Sequence, residues 1–228
     1  KNANQGNFAV FDMDNTSYRY DLEESLLAYM EMKGALSREK LPPELCLIPF
    51  KDTKDFKEGL VSYYYRLCET DDLICYPWVA QVVSGFARKE LKGHVDGLME
   101  YGKPLKARYY SGETVKETSI NPPKPFTGMQ ELYAKLMENG INVYVMTAAS
   151  EELVRMVASD PKYGYNVKPE NVIGVTMLLK DPATGALTTS RIQIEKGQYD
   201  QKKNLDMVLT TYLMNPMTWY EGKMGTIL

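Results

Sequence analysis

Two aspartates separated by one residue, Asp12 and Asp14 in FDMDNT (11–16), directly follow the apolar run NFAVF (7–11). Carboxylates at this spacing can hold a hard, oxygen-seeking cation such as Mg²⁺, and one of them can attack a phosphorus whose charge that cation screens. A bare D-x-D is more often an exposed acidic turn, but two further features favour chemistry. Within INVYVMTAA (141–149) the expected apolar strand ends in the hydroxyl of Thr147, and a hydroxyl beside the free N–H groups of a helix start is a natural phosphate binder. The segment TWYEGKMGTIL (218–228) carries Lys223, whose ammonium can neutralise both an attacking carboxylate and phosphate oxygens. Alone, a lysine in a Gly-flanked turn is usually just solvated. The three features together point to phosphoryl transfer.

Such residues need particular elements to position them. In an open α/β sheet, ligands collect beyond the carboxyl ends of the strands. The run 7–11 is therefore expected as a buried parallel strand with Asp12 and Asp14 at its exit. Residues 21–98 read as helical from the apolar spacing in LEESLLAYMEM, FKEGLVSYYYRLC and WVAQVVSGFARKEL, interrupted by Pro42, Pro43, Pro49 and Pro77. The segment INPPKPF (120–126) is proline-rich and reads as an extended connector between two compact units. Beyond it, the pattern predicts a helix over 127–139 closed by Gly140, a strand over 141–146 and a helix from about residue 150. NVIGVTMLL (171–179) and TTSRIQIE (188–195) flank DPATG, which suits the turn of a hairpin with a strand on either side. The expected fold class is α/β.

Composition narrows the function classes. The 228 residues carry 27 Lys and Arg against 30 Asp and Glu, a net charge of −3, and the isoelectric point near 5.4 argues against a nucleic-acid partner. The longest mostly apolar stretches, such as 141–149, fall well short of the roughly 20 residues that a membrane-spanning helix needs. Three cysteines are too few for a disulfide scaffold, and their odd number leaves at least one unpaired. Cys68 and Cys75 bracket the acidic turn ETDDLI, so they either bridge locally in an oxidising compartment or serve, with Cys46, as small buried hydrophobes. The first residue, Lys1, is not Met, which leads to the expectation that an upstream segment was removed.

On the D-x-D-x-T of Asp12, Asp14 and Thr16, the strand-end Thr147 and the later Lys223, the chain resembles the haloacid dehalogenase superfamily of phosphohydrolases. More narrowly, DMDNTSYRYDLEESLLAYMEMKG, SYYYRLCETDDLICYPWVAQV, ELVRMVASDPKYGYNVKPENVIGVT and YGKP are similar to a bacterial family within it that acts on phosphorylcholine. The resemblance implies a Rossmann-like α/β core, residues 1–20 plus 126–228, with an inserted, mainly helical cap over 21–125 that governs substrate choice. It implies Asp12 as nucleophile, Asp14 as general acid and base, Thr147 as phosphate ligand and Lys223 as charge neutraliser, with Mg²⁺ held by Asp12 and Asp14. It also implies a fourth motif after the lysine, a strand ending in Gly-Asp with another acid, which the residues up to Leu228 do not supply. The expectation is that this sequence is part of a longer chain.

A quaternary ammonium ion donates no hydrogen bonds and is held by aromatic faces and nearby carboxylates. The expected cap offers Tyr63, Tyr65, Tyr76 and Trp78, with Glu24 preferred over Glu23 as the acid reaching toward the head group. Successive helical residues turn by about 100°, so the three tyrosines 63–65 cannot share one pocket, and Tyr64 is assigned to the core with Leu60, Val61, Leu67 and Cys68. The expected function is hydrolysis of the small molecule phosphorylcholine through an aspartyl phosphate. Alternatives are a phosphatase for another amine phosphate, phosphoethanolamine or phosphoserine, and a choline-type binding protein without turnover. Resemblance and the first residue together lead to an expected periplasmic or secreted location. Nothing in the sequence specifies an oligomeric state.

Overall fold

The computed structural model describes residues 6–227. Its strands and helices, in chain order, are β1 (Phe8–Phe11), β2 (Tyr18–Arg19), α1 (Leu22–Met32), α2 (Leu60–Thr70), α3 (Asp72–Gln81), α4 (Arg88–Tyr101), β3 (Leu105–Ser111), β4 (Thr114–Ile120), β5 (Lys124–Pro125), α5 (Thr127–Glu138), β6 (Asn142–Ser150), α6 (Glu151–Ala158), β7 (Val172–Lys180), β8 (Leu187–Thr188), α7 (Ser190–Glu195), β9 (Val208–Met214) and α8 (Gly222–Ile227). The main sheet is mixed. β1, β6 and β7 run parallel, and β8 and β9 add to β7 antiparallel; β6 and β7 are largely buried, but β1 is the edge strand, half-buried with Phe8 exposed, and so departs from the buried strand expected of its apolar run.

Parallel pairing brings the carboxyl ends of β1 and β6 to one rim of the sheet, and that rim positions the site. Phe11 pairs with Val145, so Asp12 and Thr147 leave their strands side by side. The register between β6 and β7 shifts between Met146 and Ser150. β7 comes so close there that a Cβ on Gly174 would meet the Ala149 carbonyl oxygen at 2.7 Å, and no larger residue fits.

Residues 21–125 contribute α1–α4 and the antiparallel hairpin β3–β4. The chain leaves and re-enters the sheet region through the short ribbon β2–β5, where Tyr18 pairs with Pro125. Asp21 caps α1 by accepting the Glu24 N–H at 2.8 Å, and Leu22, Leu26, Leu27 and Met30 are buried beneath it. Helices α1, α2 and α3 share a core containing Tyr63, Leu67 and Trp78.

α6 is buried along its whole length and is held by ion pairs. Arg155 reaches Glu151 at 2.6 Å and Glu152 at 2.8 Å, Arg88 of α4 reaches Glu152 at 2.6 Å, and Arg191 of α7 reaches Glu151 at 2.8 Å. Burial alone would raise the Glu152 carboxyl, but Arg88 and Arg155 together hold it below the ordinary glutamate value.

Two expectations are corrected. The helical reading of 21–98 fails over residues 33–59, which hold only two short 3-10 turns between α1 and α2 where Pro42, Pro43 and Pro49 interrupt the chain, and the helices are followed by the β3–β4 hairpin. The second half of TTSRIQIE is the helix α7, not a strand: β7 does form a hairpin with β8 around DPATG, but Thr189 then accepts the Ile192 N–H and opens a helix. The alternation R-I-Q-I-E resembles a strand, and the cap overrides it.

Candidate active site

A cavity of about 170 Å³ opens where β1 and β6 end, lined by Asp12, Asp14, Asp21, Glu23, Tyr64, Tyr76, Val79, Thr147, Ala148 and Ala149. Asp12 leaves β1 with Oδ1 accepting the Met13 N–H at 2.8 Å and Oδ2 accepting from Lys223 Nζ at 2.7 Å. Lys223 comes from α8, and both partners are partly open to solvent, 29% for the lysine and 39% for the aspartate side chain. Asn15, at φ +55°, turns the chain beyond the motif in a left-handed conformation that Asn tolerates. Ser17 tightens the loop from below: its hydroxyl donates to the Asp12 carbonyl at 2.6 Å, and its own carbonyl accepts from Tyr165 at 2.6 Å.

Asp14 is fixed on one side and free toward the cavity on the other. Its Oδ1 accepts from the Tyr18 hydroxyl and the Leu22 N–H, each at 2.8 Å, while Oδ2 lies 3.4 Å from the Thr147 hydroxyl. Burial raises the Asp14 carboxyl above the ordinary aspartate value, and the neighbouring Asp12 adds to the effect against these hydrogen bonds. Thr147 is buried and accepts the Ala149 N–H at 3.1 Å. β6 runs to Ser150, so Thr147 lies inside the strand's last turn of register and four residues before α6.

The structure therefore brings Asp12, Asp14, Thr147 and Lys223 to one point. It divides the expected aromatic set. Tyr76 lines the cavity, and Tyr65 donates its hydroxyl to Glu24 nearby. Tyr63 and Trp78 do not face the cavity: both are fully buried, Tyr63 exchanging hydrogen bonds with the Ile48 backbone and Trp78 donating to the Leu45 carbonyl at 2.9 Å. Tyr64, assigned to the core from the sequence, is the residue of α2 that lines the cavity, stacked on Trp78 at 6.3 Å. The helix is rotated by one residue relative to the sequence-based assignment, because Tyr63 shares its buried face with Leu60 and Leu67.

The acid on the cavity wall is likewise Glu23, not Glu24. Glu23 is buried and accepts the Ser150 N–H at 2.8 Å, tying α1 to the end of β6. Burial raises its carboxyl well above the usual range, with Asp21 adding repulsion. Asp21 is pushed up to about 8, by burial and then by the Asp14 charge. The sequence-based reading passed over Tyr18 and Asp21 and placed Glu23 second to Glu24. Asp21 carried the one local signal, an Asp three residues before Glu24 at a helix start.

Four carboxylates around a small cavity with a single lysine contact make a site that favours a further cation. Among the described residues no group of three or more His, Cys, Asp and Glu side chains is arranged to hold a metal ion unaided. The donors that are present, Asp12 and Asp14, suit Mg²⁺, which commonly takes one or two carboxylates and completes its shell with water and phosphate oxygens.

Over 227 residues, all of this chain, it is 66% identical to the phosphorylcholine phosphatase of Pseudomonas aeruginosa. The chain closely resembles that enzyme. It spans 65% of the enzyme's length. No family model matches the chain. Among solved structures, a conserved protein of unknown function from Anaerococcus prevotii superposes with a TM-score of 0.59 at 22% identity, covering 97% of this chain and 69% of the other. That likeness establishes the shared α/β fold and nothing about chemistry.

Proposed function

We propose that the protein is a phosphomonoesterase that hydrolyses phosphorylcholine to choline and phosphate through an aspartyl-phosphate intermediate. The observation that carries the proposal is the Lys223–Asp12 contact at 2.7 Å, beside Asp14 and Thr147, at the carboxyl ends of two parallel strands. The Asp12 carboxylate attacks phosphorus as the ester bond to the choline oxygen breaks. Lys223 and the Thr147 hydroxyl face the phosphoryl oxygens as their charge is redistributed. Asp14, its carboxyl raised above the ordinary aspartate value by burial and its position clamped by Tyr18 and Leu22, gives a proton to the departing oxygen. The resulting Asp14 carboxylate then takes a proton from the water that attacks phosphorus in the aspartyl phosphate, which frees Asp12 and releases phosphate. Mg²⁺ at Asp12 and Asp14, when bound, would screen the phosphate charge from the attacking carboxylate.

Phosphorylcholine as substrate rests on the named relative and on the cavity wall, where the faces of Tyr64 and Tyr76 stand beside Asp21 and Glu23. We assign residues 21–125 to a cap that closes the site against water, since α1, α2 and α3 supply every cavity residue outside the β1 and β6 ends except Asp21, which caps α1. The Cys68–Cys75 disulfide supports an oxidising compartment, of which the periplasm is one. The test is steady-state hydrolysis of phosphorylcholine, phosphoethanolamine and p-nitrophenyl phosphate with Mg²⁺. A kcat/KM preference for phosphorylcholine is expected. Equal rates on all three would discard choline specificity, and a preference for phosphoethanolamine would favour a site whose carboxylates read N–H donors.

A further inference from the structure

The segment that delivers Lys223 to the site also touches α3, the helix that carries Tyr76. The Tyr220 hydroxyl donates to Asp72 Oδ2 at 2.7 Å, at the first turn of α3. The rings of Trp219 and Tyr220 both lie 6.4 Å from that of Tyr76, which lines the cavity on its other side. Tyr220 adopts φ +52°, the left-handed region that a bulky residue enters only when its surroundings hold it there. Its carbonyl accepts the Lys223 N–H at 3.4 Å, one turn ahead of the ammonium that meets Asp12. Tyr220 is 57% exposed, so burial of apolar surface does not account for its conformation.

We propose that Tyr220 is a positioning residue, a latch between α3 and the loop before α8 that couples the placement of Tyr76 against the substrate's cationic group to the placement of Lys223 against Asp12. The proposal rests on the phosphatase reading. The hydrogen bond to Asp72 fixes the tyrosine, the strained backbone at Tyr220 sets the direction in which Gly222 and Lys223 leave, and Trp219 closes against Tyr76. Cutting the latch leaves the catalytic groups intact but releases Lys223 from its position.

The test uses Tyr220→Phe, Asp72→Ala, their double variant and Asp72→Asn, which keeps an acceptor for the hydroxyl. The protein has two tryptophans, Trp78, fully buried, and Trp219, so acrylamide quenching of tryptophan fluorescence reports on Trp219 without any turnover. We expect Tyr220→Phe and Asp72→Ala each to raise that quenching and to lower kcat on phosphorylcholine about tenfold, the factor of one hydrogen bond to a charged acceptor. The KM for p-nitrophenyl phosphate and the melting temperature should stay near wild type. The double variant should be no worse than either single one, and Asp72→Asn, which keeps a neutral acceptor, should fall between wild type and Asp72→Ala. Unchanged quenching and kcat in Tyr220→Phe, or single losses that multiply in the double variant, would overturn the latch. If the wild-type protein hydrolyses no phosphate ester, the phosphatase reading fails, and the quenching series alone still decides whether Tyr220 and Asp72 hold the loop.

Discussion

Replacing Lys223 with Met removes the ammonium from the site while keeping a side chain of similar length. In the structure Nζ lies 2.7 Å from Asp12 Oδ2. At that distance two unit charges attract by about 1.5 kcal/mol in bulk water and about 6 kcal/mol at an effective dielectric of about 20. The partial exposure of both side chains places the pair between these bounds. A loss of about 3–4 kcal/mol from the transition state corresponds to roughly 10²–10³ in rate. The assay is kcat on saturating phosphorylcholine, with the melting temperature measured alongside to show that the variant is folded. Lys223→Arg retains the charge but not the compact point geometry, so its kcat should fall between those of the wild type and Lys223→Met. A folded Lys223→Met variant with kcat within threefold of wild type would refute the reasoning, because the lysine would then be a surface ion pair with no part in charge neutralisation.

Three further outcomes follow from the geometry. Tyr64→Leu removes one aromatic face from the cavity, and its KM for phosphorylcholine should rise by about 2- to 30-fold, the range of one cation–π contact, with p-nitrophenyl phosphate unaffected; an unchanged KM would remove Tyr64 from the pocket. Arg155→Met leaves Glu151 and Glu152 buried with fewer partners, a change costing about 3–5 kcal/mol, so thermal melts at pH 7 should fall by roughly 6–20 °C; a drop below 3 °C would count against the network. Asp21 has its pKa raised to about 8 from 3.8, so the native state binds a proton that the unfolded state has lost between those values. Stability is therefore greatest near pH 4 on this account and falls as pH rises toward 8, by at most about 1.4 kcal/mol per pH unit. Asp21→Asn keeps the α1 cap and has no such proton, so without metal it should gain stability over wild type as pH rises from 5 to 8; a pH-independent difference would contradict this.

The four residues that meet at the strand ends were legible because they form one pattern together, although Lys223 carries no local mark of its own. Asp12, Asp14 and Thr147 close apolar runs whose parallel pairing is implied by their composition, and Lys223 follows as the third part of one pattern. The cavity wall was not legible to the same degree. A one-residue rotation of α2 decides whether Tyr63 or Tyr64 lines the cavity, and only the packing of Tyr63 against Trp78 and the Ile48 backbone settles it. Glu23 and Glu24 stand at the same helix start, and the distinction between them is made by the Ser150 N–H more than a hundred residues away. The Tyr220–Asp72 contact likewise joins residues 148 positions apart and has no local signature. α7 shows the opposite failure, a strand-like alternation overruled by a single capping threonine.

The central claim is that Asp12 is the nucleophile, and trapping the covalent intermediate tests it most directly. The protein is mixed with phosphorylcholine labelled in the phosphoryl group and quenched in acid within one turnover, and its peptides are mapped by mass spectrometry. The account predicts an acid-stable, hydroxylamine-sensitive phosphoryl group on Asp12, absent from Asp12→Asn. Full hydrolysis with no label on Asp12, or equal labelling and turnover in Asp12→Asn, would contradict it.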